Sequence, residues 1–137
     1  SLLVQIGTSG FVFPLSLVDE CILLSSDAMA RGHDRQIMQV RGDLVPYVSL
    51  RQRFGIAGTV PSIQQVVICQ IEGRRTGFVV DRVIGEHQTV IKSLGRIYRQ
   101  VAGVAGATVL GDGSVALILD IPTIIQELEA AVVEEMN

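Results

Sequence analysis

Glycine sets the first limit on what this chain can fold into. Its 14 glycines recur between short apolar runs, in turn clusters such as Gly7-Thr8-Ser9-Gly10, Glu72-Gly73-Arg74-Arg75 and Gly111-Asp112-Gly113. Short strands joined by tight turns suit that punctuation. The pattern predicts strands over Leu2–Ile6 and Phe11–Pro14, one or two helical turns within Leu15–Cys21, and a polar surface loop over Ser25–Gln36. Strands follow at Ile37–Val40 and Leu44–Leu50 around Arg41-Gly42-Asp43. Pro46 argues that the second of these is an edge strand or bulged. Arg51–Phe54 reads as a short helical segment closed by Gly55, and Ala57–Ser62, with Gly58 and Pro61, as a connector between lobes.

The plan then recurs. Strands are predicted at Gln64–Ile71, Gly77–Ile84 and His87–Ile91, a polar stretch over Lys92–Gln100, and strands at Ala107–Leu110 and Ser114–Ile121. Pro122 suits the first turn of a helix, and Ile124, Ile125, Leu128 and Val132 follow at near-helical spacing. The two halves can be overlaid. Gly10-Phe11-Val12 matches Gly77-Phe78-Val79, each opening a returning strand. Val40-Arg41-Gly42-Asp43, with Val45 and Leu50 after it, matches Leu110-Gly111-Asp112-Gly113 with Val115 and Leu119. Each half closes on a helical segment. The expected fold is all-β, two small barrels side by side: lobes over about residues 1–60 and 61–121, then a C-terminal helix over about 122–135.

Composition narrows the function classes. The net charge is -3, from 11 Lys+Arg against 14 Asp+Glu, so no basic stripe is available for a nucleic-acid duplex. Lys92 is the only lysine; the arginine bias suits bidentate and interface contacts. Mean hydropathy is +0.45, yet no apolar run approaches the ~20 residues of a spanning helix. The excess must enter a core or exposed docking patches. The chain starts at Ser1, without a basic n-region or a cleavage pattern, and is expected to be a piece of a longer protein with no signal peptide. Cys21 and Cys69 lie among apolar neighbours and are expected to be buried, inert thiols.

Catalytic chemistry is hard to place. His33 and His87 have no ligand-type neighbour on a shared face, since Glu86 and His87 are adjacent on a strand and point oppositely, so no metal is expected. Gly7-Thr8-Ser9-Gly10 leads into a strand, which makes it a hairpin turn and not an anion cradle. Gly103, Gly106, Gly111 and Gly113 fit neither Walker nor dinucleotide spacing, so no nucleotide cofactor is expected. Asp81 and Asp120, at strand ends, read as capping or turn-bonding carboxylates. What is left is a binding module whose site is expected near the lobe junction, with Val18, Glu20 and Arg41 as candidate lining residues.

These residues carry a resemblance. Phe11-Val12-Phe13-Pro14-Leu15, Val18, Glu20, Val40–Pro46, Leu50-Arg51 and Phe54-Gly55 resemble the CheW-like domains of bacterial chemotaxis. Gly77–Glu86, Val90–Gly95 and Gly106–Asp120 resemble, more narrowly, the C-terminal regulatory domains of the CheA histidine kinases. The resemblance spans nearly the whole chain and implies one CheW-like regulatory domain over residues 1–137, built of two SH3-like five-stranded β-barrels with short helices. It implies a cytoplasmic, non-catalytic module at receptor arrays, docking the coupling protein CheW, chemoreceptor cytoplasmic tips and the other domains of a parent kinase. There is no nucleotide-binding lobe and no phosphorylatable histidine domain here, so kinase activity cannot reside in this chain. By resemblance Val18, Glu20 and Arg41 map to a receptor-facing groove, and Leu50, Phe54, Ile56, Ile97 and Tyr98 to the CheW interface. The alternatives are a stand-alone CheW-like coupler and, from a different class, a small β-barrel enzyme or ligand-binding protein.

Overall fold

A computed structural model describes residues 1–25, 37–86 and 102–136. Its strands are β1 (Leu2–Ile6), β2 (Ser9–Phe13), β3 (Val18–Ser25), β4 (Ile37–Val40), β5 (Asp43–Ser49), β6 (Ile63–Ile71), β7 (Arg74–Val80), β8 (Arg82–Glu86), β9 (Val104–Val109) and β10 (Val115–Leu119). A 3-10 turn spans Leu15–Leu17, and two helices follow β5 and β10: α1 (Leu50–Arg53) and α2 (Ile121–Met136).

The strands form two five-stranded sheets, the first in order β8-β1-β2-β10-β9 and the second β3-β6-β7-β5-β4. Along each, the pairings run antiparallel, antiparallel, parallel, antiparallel. The repeat is therefore one of topology, but it is not cut at residue 60. The second sheet is continuous in the chain, β3 to β7. The first starts with β8, β9 and β10 and is completed by β1 and β2 from the opposite end. The sequential lobes over 1–60 and 61–121 are corrected accordingly. The matched motifs still land on equivalent strands. Gly10 lies opposite Ala116 in the parallel β2–β10 pair, and Gly77 opposite Tyr47 in the parallel β7–β5 pair.

Several local boundaries move for the same reason. The single strand expected over Gly77–Ile84 is two, because Asp81 carries the chain from the second sheet to the first. Helical turns extend only over Leu15–Leu17: pairing with β6 draws Val18–Ser25 into β3. The Ala57–Ser62 connector joins α1 to β6 within one sheet and does not link two lobes. Strand β5 is not an edge. Pro46 ends the β4 ladder just before the β7 ladder starts at Tyr47, so it sits at the handover between two sets of pairings. The His87–Ile91 strand and the Ser25–Gln36 loop fall outside the described residues, Ser25 apart, which ends β3.

Period-two alternation explains the core. Leu2, Val4, Ile6, Phe11 and Phe13 of the first sheet meet Val67, Cys69, Phe78 and Val80 of the second, sealed by Leu50, Leu119, Ile121 and Ile124. Phe13 and Phe78 meet edge-on at 5.6 Å across the sheets. The intervening residues serve a second core on the other face of each sheet. Leu3 and Val12 pack with Ala116 and Ile118, while Val66, Ile68 and Val79 pack with Met38, Val40, Val45 and Tyr47. Central strands buried on both faces absorb much of the high mean hydropathy.

Candidate functional site

The β4–β5 connection is a two-residue turn with positive φ at both positions, 51° at Arg41 and 87° at Gly42. Right-handed strand twist favours this turn in a tight hairpin, and it projects the Arg41 side chain into solvent, 78% exposed. Arg41 Nη2 nonetheless lies 2.9 Å from Glu20 Oε2 on β3. Pairing shifts register between Val18 and Glu20, leaving Asp19 as the bulged residue. The bulge resets the alternation. Val18, half-buried, packs against the intersheet core, whereas Glu20 is in phase with Ile22 and Leu24, which pack on the second sheet's own core. The structure thus brings Glu20 and Arg41 together and sets Val18 one bulge away.

A residue the sequence reading missed stands at the centre of this group. Arg75, on β7, places Nη2 2.5 Å from Glu20 Oε1 and 3.0 Å from Asp19 Oδ2, and Nη1 3.8 Å from Asp43 Oδ2. Its Nε is buried without a hydrogen-bond partner. Three carboxylates and two guanidiniums therefore share one end of the second sheet. The signal was the alternation Arg75-Gly77-Val79, which turns Arg75 to the same face as buried Val79.

The second group of expected residues clusters around α1. Leu50 is fully buried in the intersheet core and offers no surface to a partner, which corrects its assignment as a contact. Phe54 and Ile56 are half-buried against the same core. The Phe54 ring stacks on Phe11 at 5.1 Å, and the Arg53 guanidinium lies 5.3 Å from its centroid. Ile97 and Tyr98 lie outside the described residues. Beneath this group Arg51 is buried. Its Nη2 lies 2.5 Å from Asp81 Oδ2, and Nη1 donates to the carbonyls of Ile56 and Ala57. Asp81 Oδ2 also accepts from the Gly7 amide at 2.7 Å, so Asp81 bonds a turn, as expected, and ion-pairs as well.

Asp120 accepts from the amide and hydroxyl of Thr123 at 3.3 and 2.8 Å, capping α2 as expected. Arg53 then holds α2 through a fork on Glu127 at 2.8 and 3.0 Å. Cys69 is buried, and burial, followed by proximity to Cys21, pushes its thiol up to about 12. Cys21 is exposed, against expectation, because it alternates with Glu20 and Ile22 on β3 and points away from the second sheet's core. Partial burial and then the Glu20 carboxylate still raise its thiol pKa, the opposite of an activated cysteine. No group of three or more His, Cys, Asp or Glu side chains among the described residues could hold a metal ion. No helix among them is long and apolar enough to cross a membrane.

A family model described as CheW-like domain matches residues 1–129. The chemotaxis protein CheA of Klebsiella aerogenes is 42% identical over 123 residues, 86% of this chain and 19% of that protein. CheA of Bacillus subtilis is 36% identical over 121 residues, 87% of this chain and 18% of that protein. The chain therefore spans about a fifth of the length of these curated relatives. Among solved structures, the scaffolding protein TtCheW from Thermoanaerobacter tengcongensis matches with a TM-score of 0.68 at 20% identity, over 87% of this chain and 86% of that one. That likeness concerns the fold.

Proposed function

The chain belongs to the CheW-like domain family, and from that premise we propose that it is the non-catalytic regulatory and scaffold domain of a CheA-type chemotaxis kinase. In this reading it docks the coupling protein CheW and the cytoplasmic tips of chemoreceptors, and works in the cytoplasm at receptor arrays. Receptor state passes through those contacts to a catalytic domain elsewhere in the parent protein. The observation that carries the reading is the convergence of Glu20 and Arg41 at one end of the second sheet. An ion pair with one partner 78% exposed contributes only ~0–1 kcal/mol to folding, so stability gives little reason for it. A receptor helix laid beside it would use such charges to fix its register. Val18 would supply apolar contact at the same edge.

Phe54 and Ile56, with Ile97 and Tyr98, are the proposed CheW-facing residues, and Leu50 is their buried support. The identity to CheA kinases favours the kinase domain over a free coupler. The free coupler stays as the second reading, because the fold match covers nearly the whole of a scaffolding CheW.

The test is calorimetric titration of the chain with CheW and with a soluble chemoreceptor signalling fragment. Arg41→Glu should weaken receptor binding while melting stays close to the parent. Glu20→Lys should also weaken it but lower melting, because it sets a lysine against the largely buried Arg75 guanidinium. Phe54→Ala should cost about 2 kcal/mol or more of CheW affinity if the ring is an anchor. Binding of both partners unchanged in all three folded variants would reject the assignment of these surfaces. The gene sequence preceding Ser1 decides between kinase domain and free coupler.

A further inference from the structure

Resting on the receptor-facing reading of Glu20 and Arg41, we propose that Arg75 is the positioning residue of that surface: it holds Glu20 from within the sheet so that Glu20 fixes Arg41 outward. The Glu20 carboxylate is divided between two guanidiniums. Oε1 lies 2.5 Å from Arg75 Nη2, and Oε2 lies 2.9 Å from Arg41 Nη2. Arg75 is only 21% exposed and rises from a central strand, whereas Arg41 is 78% exposed on a hairpin turn. A long side chain on a turn is weakly held by one carboxylate, unless that carboxylate is itself immobile. Arg75 supplies the immobility.

The same guanidinium gathers Asp19 and Asp43, the first on the β3 bulge and the second at the start of β5. Without Arg75, three carboxylates would face Arg41 alone. Their mutual repulsion would loosen the Asp19 bulge and free the Glu20 carboxylate to move, so Arg41 would lose the fixed partner that orders it. Among the described residues the polar contact of Arg41 is the one to Glu20, made through Nη2. Arg75 turns both terminal nitrogens to the carboxylates, Nη2 to Glu20 and Asp19 and Nη1 to Asp43.

The experiment compares Arg75→Gln and Arg75→Lys in the 137-residue chain. The first readout is the side-chain Nε–H resonance of Arg41 and its relaxation. The second is titration with a soluble chemoreceptor signalling fragment. In Arg75→Gln the Arg41 resonance should lose its order, and affinity should fall about tenfold with no further loss on adding Arg41→Ala. Arg75→Lys keeps a charge without the fork, so it should restore melting but only part of the Arg41 order. The proposal is overturned if Arg41 keeps its order in folded Arg75→Gln, or if the Arg75 and Arg41 losses simply add. Should Arg75→Gln not fold, unchanged Arg41 order in Arg75→Lys overturns it in the same way. A parent chain that fails to bind the fragment sinks the receptor-facing reading, and the resonance then decides the role of Arg75 by itself.

Discussion

Two glycines at matching parallel pairings, Gly10 on β2 and Gly77 on β7, answer to different local demands. A Cβ on Gly77 would lie 2.9 Å from Val66 Cγ1 and 3.3 Å from Tyr47 Cβ, inside the second sheet's core. A Cβ on Gly10 would meet Ala116 Cβ at 3.4 Å and Leu3 Cδ1 at 3.7 Å, ordinary contacts, because no methyl crowds it as Val66 Cγ1 crowds Gly77. Gly77→Ala should therefore destabilise by about 1–3 kcal/mol, and Gly10→Ala by less than about 1 kcal/mol, read from urea midpoints at constant m. Equal midpoints would show that the Gly77 site relaxes freely. The cysteines give a second contrast. Burial raises the Cys69 thiol from 9.0 to about 12, so folding favours its protonated form. That contribution is complete below pH 9 and is lost as pH rises through about 12, because the unfolded chain ionises first. Iodoacetamide at pH 8 on the native chain should alkylate exposed Cys21 and spare Cys69, as peptide mass mapping will show.

Helix α2 shows how an element is fixed by its start. Ile121 and Ile124 bury against the intersheet core, Pro122 fills the first turn, and Asp120 satisfies the Thr123 amide. The Ile124 amide bonds the Asp120 carbonyl at 3.2 Å. Asp120→Ala should cost about 1 kcal/mol, and Asp120→Asn much less, because asparagine caps nearly as well. The melting temperature of each variant checks this. The Arg53–Glu127 fork, with both side chains partly exposed at 25% and 42%, should add no more than about 1 kcal/mol and weaken with salt.

At the scale of the molecule, one core and one buried ion pair tie the sheets together. Asp81 stands where the chain crosses between sheets. It bonds the Gly7 amide of the first sheet's hairpin and Arg51 on α1, the helix that follows the second sheet's β5. Arg51 in turn holds the carbonyls of Ile56 and Ala57. Arg51→Met should cost about 3–5 kcal/mol, since it leaves the Asp81 charge buried and unpaired. Adding Asp81→Asn should recover part of that loss, because the amide oxygen still accepts from Gly7 without carrying charge. Because the Leu2–Phe13 hairpin and the Val67–Val80 strands share one core, both variants should unfold in a single transition by circular dichroism and by tyrosine fluorescence. Separate transitions would show sheets that fold independently.

Most of the strands, the tight turns, the terminal helix and the internal repeat were legible because each depends on neighbours in the chain: glycine placement, period-two alternation and the Asp120-Ile121-Pro122 start. The start of β3, which reads as helical turns, and the break of Gly77–Ile84 at Asp81 were not, because pairing across the sheets decides them. Family membership was legible for the same reason, in contiguous motifs such as Gly77–Glu86 and Gly106–Asp120. What only the tertiary structure decided was which strands share a sheet. Local pattern carries no information on whether β1 and β2 join the strand that follows or the strands at the far end, and the apolar faces choose by burial. The same limit hid Arg75, whose partners Asp19, Glu20 and Asp43 lie more than thirty positions away. It also turned Leu50 from a contact into core and Cys21 from core into surface, because exposure depends on what the opposing sheet covers.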